Sequence, residues 1–339
     1  MKKMYLFSLF ICSFAVIKAQ QRPHYTQYIL NNFVLNPALA GIENYTDIKI
    51  SHRLQWVGLE GAPVTTYLTI NAPLKKRDYN RETATGFHAS GENPRGRAYW
   101  QEYTRAEPHH GIGFTILNDR AGPLNRFSAY GSYAYHLGLT EKTSLGAGFS
   151  AGIQNYSLNA SKLNFDIPVD PAVAGTGYLN RISPDVSAGL WLYSANYFVG
   201  LAAQQIIPSK LKFSGDSVKL TGGKLIPHTF LTAGYRMFLN DDITFLPSVM
   251  IKYVTPAPVS FDINAKVQYQ DFLWAGASFR YQDGFAAMLG INISNTINIG
   301  YSYDFTTSRL NTVSKGSHEL LIGFLLGNRY GDWCPRNLW

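Results

Sequence analysis

Residues 261–270 alternate without a break: Phe261, Ile263, Ala265, Val267 and Tyr269 fall on one side, and Asp262, Asn264, Lys266, Gln268 and Gln270 on the other. Side chains of a strand switch face at every residue, so the stretch predicts a strand with one apolar and one polar face. The pattern recurs. Residues 297–306 set Ile297, Ile299, Tyr301, Tyr303 and Phe305 against Asn298, Gly300, Ser302, Asp304 and Thr306. Residues 145–154 set Leu145, Ala147, Phe149, Ala151 and Ile153 against Gly146, Gly148, Ser150, Gly152 and Gln154. In 124–137, Phe127, Ala129, Tyr133, Tyr135 and Leu137 oppose Arg126, Ser128, Ser132 and His136.

About fourteen such segments follow one another, near 46–56, 63–74, 110–119, 124–139, 142–157, 182–194, 196–206, 225–239, 242–254, 258–270, 272–282, 284–294, 296–307 and 317–328. Each has roughly the length a tilted membrane strand needs. A soluble sandwich would turn one set of faces into a dry core, and it rarely strings so many strands in series. The expected fold is therefore all-β, a transmembrane outer-membrane β-barrel of about 14 antiparallel strands.

The links between segments alternate in length. Short turns fall at 140–142, 195, 240–241, 271 and 295, whereas the alternate links run to about 24 residues (158–181), about 18 (207–224) and about 9 (308–316). Bacterial barrels keep short turns in the periplasm and long loops outside. Both termini are then expected in the periplasm, with Val-Gly-Leu-Glu-Gly-Ala at 57–62 outside. One link breaks the rule: 75–109, rich in Gly, Pro and charge, is long and periplasmic by parity. It is either an insert or the place of an unrecognised strand pair. In the first strand, Arg53 and Gln55 are expected to face the lumen and Leu54 and Trp56 lipid, with Trp56 in the outer aromatic belt. Gly58, Gly61 and Pro63 make the turn.

Composition agrees with a membrane wall. Charged residues are 15%, against about 25% in soluble chains, while 22 Tyr, 20 Phe and 6 Trp supply interface residues. The longest late apolar run, Leu320–Gly327, is too short to span as a helix. The N-terminus has Lys2 and Lys3 before an apolar stretch at 5–17 and a small Ala19. This reads as a signal peptide, 1–19, cleaved before Gln20. The bulky Ile11 before Cys12 argues against a lipoprotein signal. With the leader gone Cys334 is the one remaining cysteine, so no internal disulfide forms. Lys2, Lys3 and Lys18 leave with the leader and lower the +8 formal charge; nothing calls for nucleic acid. The expected organisation is a 20–45 N-terminal segment able to plug the lumen, a 46–328 barrel carrying the 75–109 periplasmic insert, and a 329–339 tail.

The N-terminal segment carries a second kind of information. Gln27, Tyr28, Asn36, Pro37, Ala40 and Gly41, followed by Gln55, Trp56, Val57, Gly58, Gly61, Ala62 and Pro63, make a Gln-Tyr…Asn-Pro…Ala-Gly and Gln-Trp-Val-Gly…Gly-Ala-Pro signature. It resembles the start of the PorP/SprF family of Bacteroidetes outer-membrane proteins, linked to type IX secretion and gliding motility. Residues 111–123, 151–158 and the end of the chain resemble later family blocks; the 75–109 insert departs from the pattern. The resemblance implies an accessory of the type IX system in the outer membrane, without cofactor and without catalysis. It would work with secretion components on the export or surface anchoring of a secreted, adhesin-like substrate that carries a C-terminal targeting domain.

A search for chemistry yields little. His109 and His110 alternate faces and cannot easily share a metal, and no paired Cys, His-x-x-x-His, nucleophile elbow or phosphate loop occurs. His52 points to lipid by parity with no Ser beside it, so an outer-wall hydrolase is not supported. The lumen rows carry Arg53, Arg126, Asp262, Lys266, Arg280 and Asp304, as structural ion pairs or as a solute path. Retention of a secreted partner would need apolar groups on the outer loops, and Phe165, Ile167, Leu211 and Phe213 are the candidates. The alternative function is a diffusion channel or lipophilic-solute transporter. The 75–109 insert is the candidate surface for periplasmic components.

Overall fold

A computed structural model of the chain describes residues 25–75, 105–159, 178–208, 210–211, 223–270, 272–281, 283–294, 296–307 and 312–328. Fourteen strands form a closed antiparallel barrel: β1 (Thr46–Leu54), β2 (Val64–Leu74), β3 (His109–Ala121), β4 (Leu124–Gly138), β5 (Thr143–Asn159), β6 (Tyr178–Ser194), β7 (Tyr197–Gln204), β8 (His228–Tyr235, resuming at Met237–Phe238), β9 (Ile243–Tyr253), β10 (Ser260–Tyr269), β11 (Leu273–Arg280), β12 (Gly284–Asn292), β13 (Ile297–Thr306) and β14 (Ser317–Leu326). Every strand pairs with its sequence neighbour, as short links dictate. The barrel closes where β1 meets β14, from Thr46↔Leu326 to Leu54↔His318. No helix among the described residues is long and apolar enough to cross a membrane; the strands make the crossing.

The faces are inverted relative to a soluble protein. Leu289 is 59% exposed and Ile263 51%, whereas Arg53 is 2% exposed and Glu319 0%. The outer wall is layered. Ile299, Ile322, Ile50, Leu68 and Ile116 stand in one cross-strand row. The next row toward the long loops holds Tyr301, Leu320, His52, Thr66 and Asn118. At the opposite end, Leu74, His110 and Tyr135 share a row, and His110 Nδ1 lies 2.6 Å from the Tyr133 hydroxyl. From Thr66 to Leu74 the strand advances about 3.3 Å per residue at a tilt near 40°, which gives an apolar band of roughly 20 Å, close to that of outer-membrane barrels.

β2 and β3 pair directly, from Val64↔Arg120 to Leu74↔His110. The 75–109 link therefore inserts no strand between them. Its residues 76–104 lie outside the described residues. The first strand ends earlier than its pattern predicts. β1 stops at Leu54, and Trp56, half-buried, adopts φ 52° at the start of the loop, beyond the reach of the strand alternation. The Gly and Pro that follow turn the chain so sharply that alternation no longer holds. Gly58 and Gly61 take φ 100° and 71°, a region open to glycine. Gln55 N donates to Pro63 O at 2.9 Å, closing the turn.

Candidate functional site

The lumen is occupied by the chain's own N-terminal segment. Three short 3₁₀ turns, Thr26–Leu30, Asn32–Val34 and Pro37–Leu39, run down the interior from the long-loop end to the short-turn end, where the chain enters β1. Tyr28, Ile29, Leu30, Leu35, Ala38, Leu39 and Ala40 are buried against inward-facing wall residues such as Tyr67, Leu117, Trp191 and Leu321.

At the loop end the segment is held by charge. Thr26 N donates to Glu319 Oε2 at 2.8 Å, and the Thr26 hydroxyl donates to Asp304, 2.9 and 2.8 Å from its two carboxylate oxygens. Arg53 Nη1 donates to Thr26 Oγ1 at 2.8 Å, and Arg53 Nη2 pairs with Asp304 Oδ2 at 2.5 Å. Arg280 bridges Asp262 at 3.3 Å and Asp283 at 3.0 Å, with Asp304 at 3.6 Å. Charges this deep are costly unless paired. Arg53, Asp262, Arg280 and Asp304, four of the six lumen charges marked by alternation, thus meet at one knot. The other two lie apart: Arg126 packs over the Tyr156 ring at 5.7 Å and Lys266 over Trp274 at 5.8 Å. Sequence reasoning missed Thr26, Asp283 and Glu319. Glu319 sits at the head of the apolar run Leu320–Leu326, where Leu321 and Leu325 face inward as well and erase the alternation; the lone acid at the start of that run was the available signal.

Midway down, Asn264 Nδ2 donates to the Tyr28 hydroxyl at 2.6 Å and Asn31 Nδ2 to Thr69 Oγ1 at 2.9 Å. Burial, and then the Asp262 carboxylate, hold the Tyr28 phenol well above its ordinary pKa. It stays neutral and can accept from Asn264.

At the turn end the Asn-Pro-Ala-Leu-Ala-Gly stretch becomes a physical device. Asn36 caps the third turn, accepting from Ala38 N at 3.0 Å, and Pro37 fills the first helical position. The Asn36 amide also donates to Leu190 O and Leu201 O at 3.0 and 3.3 Å, on paired residues of β6 and β7. Gly41 takes φ 71°, and a β-carbon there would meet Ala72 O at 2.8 Å. His136 Nε2 donates to Ala40 O at 2.9 Å and His109 Nε2 to Gly41 O at 3.1 Å, the two rings stacked 4.6 Å apart. The wall beneath is built from small residues: β-carbons on Gly111, Gly146, Gly148 or Gly189 would collide with Ala40, Ala38, Pro37 or Asn36.

Among the described residues three recesses stand out, two of them beside the segment. One, of about 450 Å³ of non-atom space, is lined by Tyr25, Tyr28, Leu35, Phe230 and Met250, with Lys252, Asp262 and Arg280 at its edge. Another, of about 430 Å³, is faced by Thr115, Ser132, Ser150 and Ser187. The third, about 290 Å³, lies between Arg53, Trp56, Asp283 and Phe305. Among the described residues no cluster of His, Cys, Asp or Glu is arranged to hold a metal. Of the loop candidates, Phe165, Ile167 and Phe213 lie outside the described residues. Leu211 falls in a two-residue ribbon, Lys210–Leu211 paired with Gly223–Lys224, and its side chain lies outside them too.

The inverted faces, closed ladder and exposed apolar band define an outer-membrane β-barrel. The chain belongs to the PorP/SprF family of type IX secretion system membrane proteins, whose profile matches residues 17–324. Among solved structures it is similar to the CymD monoaromatic hydrocarbon channel, with a TM-score of 0.51 and 11% identity over 90% of this chain and 94% of that one. It is also similar to the Ralstonia pickettii toluene transporter TbuX, with a TM-score of 0.45 and 12% identity over 88% and 92%. The Acinetobacter baumannii outer membrane protein Omp33 gives 0.44 and 10% over 84% and 100%. At 11% identity the likeness to CymD is one of fold alone. Among curated proteins none matches.

Proposed function

We propose that this barrel binds a secreted, adhesin-like partner of the type IX system at the cell surface, for export or for anchoring. The supporting observation is the filled lumen. With Tyr25–Gly41 seated inside, the surface free to meet a large partner is the long-loop end, which outer-membrane practice puts outside. The mechanism is binding rather than catalysis. Phe165, Ile167, Leu211 and Phe213 are the anchors, since burying each apolar side chain is worth about 1.5–3 kcal/mol before ordering costs. The insert at 75–109 is the surface for secretion components in the periplasm.

The test is a double substitution, Phe165→Ser with Phe213→Ser. The protein should still insert and remain heat-modifiable, while retention of a large surface protein falls by a hundredfold or more, at about 1.4 kcal/mol per tenfold. Equal recovery of one large partner from mutant and parent would remove these loops from the binding site. If the parent recovers no large partner, the second reading takes over. That reading is a lipophilic-solute channel, favoured by the apolar recess between Tyr25, Tyr28, Leu35, Phe230 and Met250 and by the name of the CymD channel, whose fold this chain shares.

A further inference from the structure

His52 and His318 stand together on the lipid-facing wall, where polar side chains are costly unless satisfied. In the β1–β14 ladder His52 opposes Leu320 and Leu54 opposes His318. The two imidazoles are therefore diagonal neighbours, with α-carbons about 7–8 Å apart. Each ring is fixed through the same nitrogen. Thr66 Oγ1 lies 2.8 Å from His52 Nδ1, and the Tyr301 hydroxyl 2.6 Å from His318 Nδ1. A hydroxyl that donates to Nδ1 leaves the proton on Nε2. With both hydroxyls donating, the pair presents two N–H donors, and the Tyr303 ring stands edge-on to His318 at 4.9 Å. Exposed cations stand on the same rim of the wall. Arg120 lies in the row of His318, across Leu54 and Val64, and Lys315 precedes His318 by one turn of loop. The β1–β2 loop brings one carboxylate, Glu60, to this end.

What fixes the occupant is the level at which these groups sit. Directly toward the membrane centre lies the row Ile299, Ile322, Ile50, Leu68 and Ile116. An occupant of the imidazole pair therefore touches hydrocarbon on one side and donors on the other. A free anion would gain nothing from the isoleucines, and an uncharged headgroup would leave the donors and cations unmatched. We infer that His52 and His318, with Arg120 and Lys315 adding positive charge on the same rim, form a docking patch for the phosphate of a membrane lipid headgroup in the leaflet at the long-loop end. His110 is the internal contrast. It has a similar hydroxyl partner, Tyr133, at the other end of the wall, but its row neighbours are Leu74 and Tyr135 and its diagonal neighbours Ala72, Tyr133 and Leu137, so it lacks a paired imidazole.

The full chain in detergent tests this. Its heat-modifiable, folded form is titrated with dioleoylphosphatidic acid, with dioleoylglycerol, which has the same chains and no phosphate, and with inorganic phosphate. Phosphatidic acid should stabilise at about tenfold lower concentration than the diacylglycerol, and inorganic phosphate should not reproduce the effect. His52→Gln with His318→Gln should abolish the preference, and His110→Gln should keep it. If the double variant does not fold, Arg120→Gln with Lys315→Gln carries the comparison and must reduce the preference. Equal action of the two lipids on the parent, or a preference that survives loss of the histidines, overturns the patch. An equal effect of inorganic phosphate overturns its assignment to lipid.

Discussion

Gly148 of β5 lies directly beneath Pro37 of the lumen segment: a β-carbon on Gly148 would stand 2.6 Å from the Pro37 carbonyl oxygen and 2.7 Å from Ala38 Cα. The obstacle is backbone on both sides, so no rotamer change relieves it. Gly148→Val should therefore unseat the segment, at a cost of about 1–3 kcal/mol, while the wall still closes through its backbone ladder. Single-channel conductance in a planar bilayer should rise, as it should on deletion of residues 22–36. Conductance unchanged in both variants would show that the segment does not limit the bore.

The charge knot predicts a different signature. Arg53 compensates Asp304 at 2.5 Å and Glu319 at 3.3 Å, all nearly inaccessible to water. Arg53→Gln leaves those carboxylates short of a cation, a change that costs roughly 3–5 kcal/mol at buried sites. Adding Asp304→Asn removes one of the stranded charges and should recover part of the loss. Urea unfolding of the heat-modifiable form measures both. Additive losses in the double variant would mean that the two residues do not interact.

These two sites show what the sequence made legible. Period-two alternation found the strands, their faces and the lumen charges because a membrane barrel keeps lipid and lumen on strictly opposite sides of each strand. Arg53, Asp262, Arg280 and Asp304 were legible as inward, but their convergence was not: Asp262 and Arg280 oppose each other in one hairpin, whereas Arg53 reaches Asp304 only because β1 closes on β14. Alternation failed where the pattern was locally absent: at Glu319, among leucines facing both ways, and at Trp56, beyond the strand's end. Asn36, Pro37 and Gly41 were legible as a motif. Their partners Gly148, Gly189, His109 and His136 lie on other strands, and no local spacing connects them.

Connection lengths alone orient the barrel, so orientation is testable by labelling. In a Cys334→Ser background, a cysteine replacing Glu60 in the β1–β2 loop should react with an impermeant maleimide on intact cells. A cysteine replacing Asn93, in the 75–109 insert, should react only after the outer membrane is permeabilised. Labelling at residue 93 on intact cells would reverse the assignment of the faces.

Trp56 offers a test in which two effects oppose. Its φ of 52° is a conformation that costs a bulky residue about 1 kcal/mol or more. The surroundings enforce it. Trp56 N donates to Ser317 Oγ at 3.0 Å, and the next residue is tied on both sides, Val57 N to Gly316 O at 2.8 Å and Lys315 N to Val57 O at 2.7 Å. The residue lines the loop-end recess beside Arg53 and Phe305. Trp56→Ala loses the ring and keeps the backbone cost. Trp56→Gly loses the same ring but relieves the backbone, with some of the gain offset by a freer unfolded chain. Alanine should therefore destabilise more than glycine by about 0.5–1 kcal/mol, the reverse of their order in an ordinary strand. Urea midpoints of the two variants decide it. Alanine equal to or better than glycine would mean that the loop does not hold Trp56 in the left-handed region, and that the ties from Ser317, Lys315 and Gly316 do not set its backbone.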